Sequence, residues 1–279
     1  MPYSRVMQIW KFFKIANPED PSASLQRGQA GYDPKFWVKP LYSSLQEALN
    51  RLFFAGGYIV MDEYMQGSAH RVAYRRVIKG KPKSHGLLWY VLCDMRRFCD
   101  ASGNVIKGAT VYIPLSFDLY TTDEPWRRQP GPRGGKGVPL PEFRGYGEGG
   151  CFLRHFLTRM IANESIKKGT CIIGDRLFST VKLLRLLQQL GFLYIGTAKK
   201  NCKGVPNFEP FGQAERGTFA YRVAKNLPGL ALGWWRDSSD VLMMTLGCVV
   251  PPSLWFTFAV PVISPERLKS KTLTYNIRF

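Results

Sequence analysis

Negative charge is scarce in this sequence of 279 residues: 20 Asp and Glu stand against 39 Lys and Arg, a formal net charge of +19. That deficit draws the chain toward polyanions, because each phosphate neutralised by a cation releases bound counterions. Nucleic acid is the leading partner class; ribosomal association, an anionic membrane surface and a solvated basic face are the alternatives. Cysteine pairs are missing too. Six cysteines (Cys93, Cys99, Cys151, Cys171, Cys202, Cys248) are scattered with no Cys-x-x-Cys spacing, which excludes a zinc knuckle and a disulfide framework. The expectation is a reducing compartment, nucleus first and cytosol second. Histidine is down to His70, His85 and His155, at no ligand spacing. No apolar run approaches the roughly 20 residues of a membrane-spanning helix, and the start of the chain does not read as a signal peptide.

What is present is a change of hydrophobic period along the chain. Val6, Ile9, Trp10 and Phe13 fall at helical spacing, and Leu41, Leu45, Leu49 and Leu52 form a second helical stripe within Asp33–Leu52. From Gly57 the pattern turns to strands: Tyr58–Met61, Arg71–Ile78, Gly86–Cys93 and Val111–Phe117, an antiparallel meander. Residues 130–150 are rich in glycine and proline and read as a flexible loop. An α/β alternation follows: helix Cys151–Ala162, strand Cys171–Gly174, helix Ser179–Leu190 and strand Phe192–Thr197. Beyond Asn201 come three strands, Thr218–Ala224, Leu230–Trp235 and Val241–Leu246, read as a separate β-rich insertion.

Two carboxylates sit where apolar strands end. Asp62 follows GGYIVM and Asp175 follows TCIIG. If the two strands lie side by side, both carboxylates reach one metal cluster of the kind Mg²⁺ or Mn²⁺ forms with oxygen ligands, and paired ions of that type serve phosphodiester cleavage. Asp175 also suits a helix cap before Ser179. The chain order decides more than either residue: meander, acid on its first strand, helix, acid after a later strand, helix. That is the order of an RNase H-like fold.

Longer stretches carry a family resemblance. VKPLYSSLQEALNRLFFAGGYIVMDEYMQG resembles the piggyBac transposase passage from a helix into the first catalytic strand. KGKPKSHGLLWYVLCD resembles that family's basic hairpin, and GTCIIGDRLFSTVKLLRLLQQLGFLYIGTAKKNCKGVP resembles its DNxFTS segment and the motif after it. MPYSRVMQIWKFF resembles an earlier family helix. The resemblance implies an α/β, RNase H-like mixed sheet with flanking helices, a β-rich insertion and a partial N-terminal helical region. The expected divisions are 1–55 for that region, 56–200 for the core, 201–262 for the insertion and 263–279 for a return to the core.

On the same resemblance Asp62 and Asp175 correspond to the first two of the family's three metal-binding aspartates. The third follows a YN…GGVD motif; Tyr275-Asn276 resembles its start and the sequence ends at Phe279, so a truncated member is expected, without the third acid or the cysteine-rich zinc domain. Two departures bear on activity. Asp175-Arg176 replaces the family's DN, which sets a cation beside a metal ligand, and QGSAHR keeps only Arg71 of a family motif. Arg71, Arg75, Arg76, Lys79, Lys81 and Lys83 flank the first acid, and Arg176, Lys199, Lys200 and Lys203 accompany the second; these are the candidate phosphate contacts. Trp234-Trp235 reads as strand packing rather than base stacking, and Asp237 and Asp240 read as hairpin residues. The function expected is a DNA-binding remnant of a transposase, nuclear, without independent strand cleavage and with the homodimer that the family implies. An active transposase and a protein-interaction scaffold are the alternatives.

Overall fold

In the computed structural model the described residues are 2, 4–5, 15–68, 74–79, 84–102, 104–121, 124, 126–127, 139–205, 215–225, 227–236 and 238–247. The helix expected around Val6–Phe13 and the return to the core over 263–279 lie outside them. Strands β1 (Tyr58–Gly67), β2 (Arg76–Val77), β3 (His85–Cys99), β4 (Val105–Leu119), β5 (Cys171–Gly174), β6 (Leu193–Ala198), β7 (Phe219–Val223), β8 (Leu230–Arg236) and β9 (Asp240–Leu246) alternate with helices α1 (Lys39–Leu52), α2 (Gly147–Ala162) and α3 (Val181–Leu190). Hydrogen-bonded neighbours run β2-β3-β1-β5-β6-β9-β8-β7, with β4 beside β3. A meander of β1, β3 and β4 continued by parallel β5 and β6 is the RNase H-like mixed sheet expected.

The chain forms two compact units, and β1, β3 and β4 contribute to both. In the first unit, α1 differs from its expected orientation. Leu41, Leu45 and Leu52 are exposed, and the one fully buried helix residue is Gln46. The reason lies in the β4 backbone. Gln46 Nε2 donates to Leu115 O at 2.7 Å, its Oε1 accepts from Phe117 N at 3.2 Å, and Tyr42 one turn away donates to Phe117 O at 3.0 Å. Buried peptide groups left without partners cost more than leucine burial returns at this spot, so the amide takes the inward face.

The same unit holds a buried charge cluster. Lys35 Nζ lies 2.6 Å from Asp118 and 3.4 Å from Glu124, whose Oε1 also accepts from Thr121 N at 2.6 Å. Burial opposes the Lys35 charge, but Asp118 and then Glu124 outweigh it and hold the ammonium above the ordinary lysine value. Glu124 goes the other way. Burial dominates at the longer contact and pushes its carboxyl up to about 7. Between the unfolded value near 4.5 and about 7 the folded state therefore binds the extra proton, so stability falls as pH rises through that window. The slope for this one group is about 1.4 kcal/mol per pH unit. Urea unfolding from pH 5 to pH 8 should show Glu124→Gln gaining on the wild type at that rate up to about pH 7; parallel curves would refute it.

The second unit carries the α/β alternation. β5 lies parallel to β1 (Met61 opposite Gly174) and to β6 (Gly174 opposite Gly196). Helix α3 starts on Thr180, whose side chain accepts from Leu183 N, and stops at left-handed Gly191. Its Leu183, Leu184 and Leu187 are fully buried, as are Phe152, Leu153, Phe156 and Leu157 of α2; each contributes about 1.5–3 kcal/mol of burial. The expected insertion strands join this same sheet, because β9 ladders antiparallel to β6 from Tyr194–Leu246 to Ala198–Leu242. Trp234 and Trp235 are buried at 2% and 7% exposure, which is packing as expected. Asp240 accepts from Arg236 at 2.6 Å and Lys200 at 3.3 Å, a hairpin role; Asp237 lies outside the described residues.

The flexible reading of 130–150 needs correcting over its second half. Pro141–Phe143 form a 3-10 turn and residues 147–150 are the first turn of α2. A Cβ on Gly149 would stand 2.8 Å from the Phe178 ring and 2.9 Å from Leu177, so glycine here serves close helix packing.

Candidate metal and nucleic-acid site

The parallel ladder sets the site. Met61 and Gly174 are opposite one another, so Asp62 stands beside the point where Asp175 leaves β5. The expected strand end at Met61 needs correcting, because β1 runs on to Gly67 and Asp62 is a mid-strand residue. Adjacent strands are about 4.8 Å apart. Both aspartates are exposed. Asp175 is held by its own turn: Oδ1 accepts from Leu177 N at 2.8 Å, and its carbonyl accepts from Phe178 N and from Ser179 Oγ, each at 3.0 Å. Asp62 is felt by Cys93, whose thiol is pushed up to about 11 by burial first and by the Asp62 charge second. That thiol stays protonated at neutral pH.

Sequence reasoning missed the support beneath Asp175. Tyr194 is fully buried on β6, and its hydroxyl lies 2.7 Å from Ser179 Oγ. Ser179 has a single hydroxyl hydrogen and gives it to the Asp175 carbonyl, so Tyr194 is the donor to Ser179. Burial, with the Asp175 charge adding to it, raises the phenol well above its ordinary value and keeps that donor proton in place. The sequence signal was the glycine pair: Gly174 and Gly196 are opposite one another in β5 and β6, and together they leave the space the Tyr194 ring fills.

The cations divide. Arg176 is exposed directly after Asp175. The turn after β6 carries exposed Lys199, Lys200 and Lys203, and it packs on the start of α3: Cys202 Sγ lies 3.5 Å from Ser179 O, and a Cβ on Gly204 would lie 3.5 Å from Val181. Arg176, Lys199 and Lys203 thus belong to the same edge as Asp175. Lys200 is committed elsewhere, to Asp240 and to the face of Trp234 at 5.5 Å. Arg75, Arg76 and exposed Lys79 are in the first unit, where the Arg76 guanidinium lies 4.2 Å over the Tyr120 ring. Arg71, Lys81 and Lys83 lie outside the described residues.

Asp62 and Asp175 are hard oxygen donors and as a pair they fit a magnesium-type ion, which keeps water or phosphate oxygens in the rest of its shell. Among the described residues no group of three or more His, Cys, Asp or Glu is gathered. No helix among the described residues is long and apolar enough to cross a membrane.

The family model for transposase IS4 matches residues 1–99. A solved piggyBac transposase, in a synaptic complex with hairpin DNA, shares the fold at a TM-score of 0.63 and 14% identity over 90% of this chain. The chain spans 44% of the length of that transposase. No curated protein matches the sequence. The chain is thus similar to IS4-type transposases over residues 1–99 and shares the fold of a piggyBac transposase.

Proposed function

We propose that the chain is a transposase-derived nuclear protein that binds DNA, with Asp62 and Asp175 holding Mg²⁺ or Mn²⁺ near the phosphates and without independent strand cleavage. The observation that supports this reading is the β1–β5 register, which sets Asp62 beside the end of β5 where Asp175 and Arg176 follow, with the Lys199–Lys203 turn packed on the start of α3. Carboxylates and cations near one another suit a phosphodiester backbone: the cations would take phosphate oxygens and the acids would hold a divalent metal. Held by Asp62 and Asp175, such an ion would supply charge neutralisation of the phosphate. The solved relative contains DNA, which favours the same ligand class here. One feature weighs against cleavage: Arg176 places a positive charge beside Asp175.

Binding of the full chain to a labelled duplex, followed by fluorescence anisotropy between 50 and 200 mM salt, tests the reading at roughly physiological ionic strength. Affinity should fall steeply with salt. Lys199→Ala/Lys203→Ala should weaken binding to all sequences alike and reduce the log–log salt slope by about 2, roughly 0.9 per lost phosphate contact. No affinity at the lowest salt, or an unchanged slope in the double variant, would sink the reading and favour a protein-binding scaffold. Metal-dependent nicks that vanish in Asp62→Asn would replace it with an active transposase.

A further inference from the structure

We propose that Tyr194 and Ser179 are positioning residues for the acidic pair, a buried two-hydroxyl relay that fixes the Asp175 carboxylate beside Asp62. The inference rests on the reading of Asp62 and Asp175 as cation ligands. Tyr194 Oη donates to Ser179 Oγ at 2.7 Å, and Ser179 Oγ donates to Asp175 O at 3.0 Å. Ser179 is 2% exposed and Tyr194 0%, so water does not compete for these bonds. In a dry setting each bond polarises the next.

The relay is placed where it can matter. Asp175 leaves β5 into a turn whose residues 176–178 are not strand, and nothing in a β ladder fixes a residue past the last rung. The carboxylate is set instead by the turn: Leu177 N on Oδ1, and Phe178 N and Ser179 Oγ on the carbonyl. Tyr194 belongs to the neighbouring strand, so its hydroxyl ties the turn to β6, whose own ladder to β5 already sets Gly196 opposite Gly174. The ring reaches across because both facing positions are glycine; a Cβ at Gly174 would be 2.8 Å from Tyr194 Oη. A phenylalanine at position 194 would fill the same space and lose only the donor. The bonds therefore exceed what filling the core requires.

Mn²⁺ uptake by the full chain, read by electron paramagnetic resonance of the free ion, separates this role from a purely structural one. Wild type should bind, and Asp62→Asn and Asp175→Asn should each lose binding. Tyr194→Phe and Ser179→Ala should each weaken Mn²⁺ affinity about three- to tenfold, the worth of one net hydrogen bond. The double variant should be no weaker than the poorer single, because both cut one relay, and Ser179→Thr should restore affinity by returning a hydroxyl. Thermal melts of the same samples confirm that the compared proteins are folded. Tyr194→Phe and Ser179→Ala binding as wild type, with Asp175→Asn still defective, would overturn the positioning role and leave the cation site standing. A wild-type chain that takes up no Mn²⁺, or aspartate variants that bind unchanged, would overturn the cation reading and the relay with it.

Discussion

Replacing Lys35 by alanine is expected to destabilise the chain by about 3–5 kcal/mol at pH 8, the usual cost of removing one partner from a buried charge cluster. The Lys35 ammonium bridges Asp118 at 2.6 Å and Glu124 at 3.4 Å, and the two carboxylate side chains are only 5% and 0% exposed. Without the lysine, two carboxylates share a dry site with no cation between them. Glu124 can escape by taking a proton, since its carboxyl already sits up at about 7 with Lys35 present. The loss should therefore shrink as pH falls toward 5, where Glu124 is neutral in the folded wild type as well. Urea unfolding at pH 8 and pH 5 reads both parts. A Lys35→Ala protein within 1 kcal/mol of wild type at pH 8 (roughly the worth of an exposed pair), or a loss equal at the two pH values, would contradict the account. A triple Lys35→Met/Asp118→Asn/Glu124→Gln protein should recover much of the stability, because an apolar or neutral replacement of a whole buried cluster is often tolerated.

That cluster also marks where sequence reading stops. Strand β5 was legible to the residue, and the helix and strand after it to within two residues, because Cys171–Gly174 is a short apolar run and α3 has a Thr180 cap and a Gly191 stop. Asp175 was legible as a strand-end acid; Asp62 was legible only as the acid after an apolar run, since β1 continues past it to Gly67, and the parallel register sets the two side by side. Lys35, Asp118 and Glu124 were not legible. They are up to 89 positions apart, and no period links them. The Leu41–Leu45 stripe misled about α1 for a related reason: a helical moment records side chains only, and the decisive partners of Gln46 are peptide groups of β4. The join of β9 to β6 was equally hidden. A strand buried on both faces reads the same whether it packs in a separate sheet or extends an existing one, and only the ladder distinguishes them.

Alanine at Gly196 should be the most damaging single methyl that can be added to the second unit. Gly196 is opposite Gly174 in the parallel ladder, and a Cβ there would stand 2.2 Å from the Gly174 carbonyl oxygen, 2.5 Å from Tyr194 Oη and 2.9 Å from Tyr194 Cζ. The carbonyl cannot retreat without opening the β5–β6 ladder, and the phenol cannot retreat without leaving Ser179. Overpacking of this kind costs about 1–3 kcal/mol and more when backbone must move; with a backbone oxygen as the nearest atom, a loss of about 3 kcal/mol is expected. For a chain of this size that corresponds to a fall in Tm of roughly 6–12 °C. Gly57→Ala is the matched control, since nothing lies within 4 Å of a Cβ at that exposed position, and it should melt within a degree or two of wild type. Removing the ring as well should relieve only part of the strain: Tyr194→Ala/Gly196→Ala ought to be less destabilised than the sum of its singles, yet still below Tyr194→Ala alone because the carbonyl contact remains. If Gly196→Ala melts with Gly57→Ala, the close approach of β5 and β6 is wrong. The space credited to the Tyr194 ring would then be wrong with it.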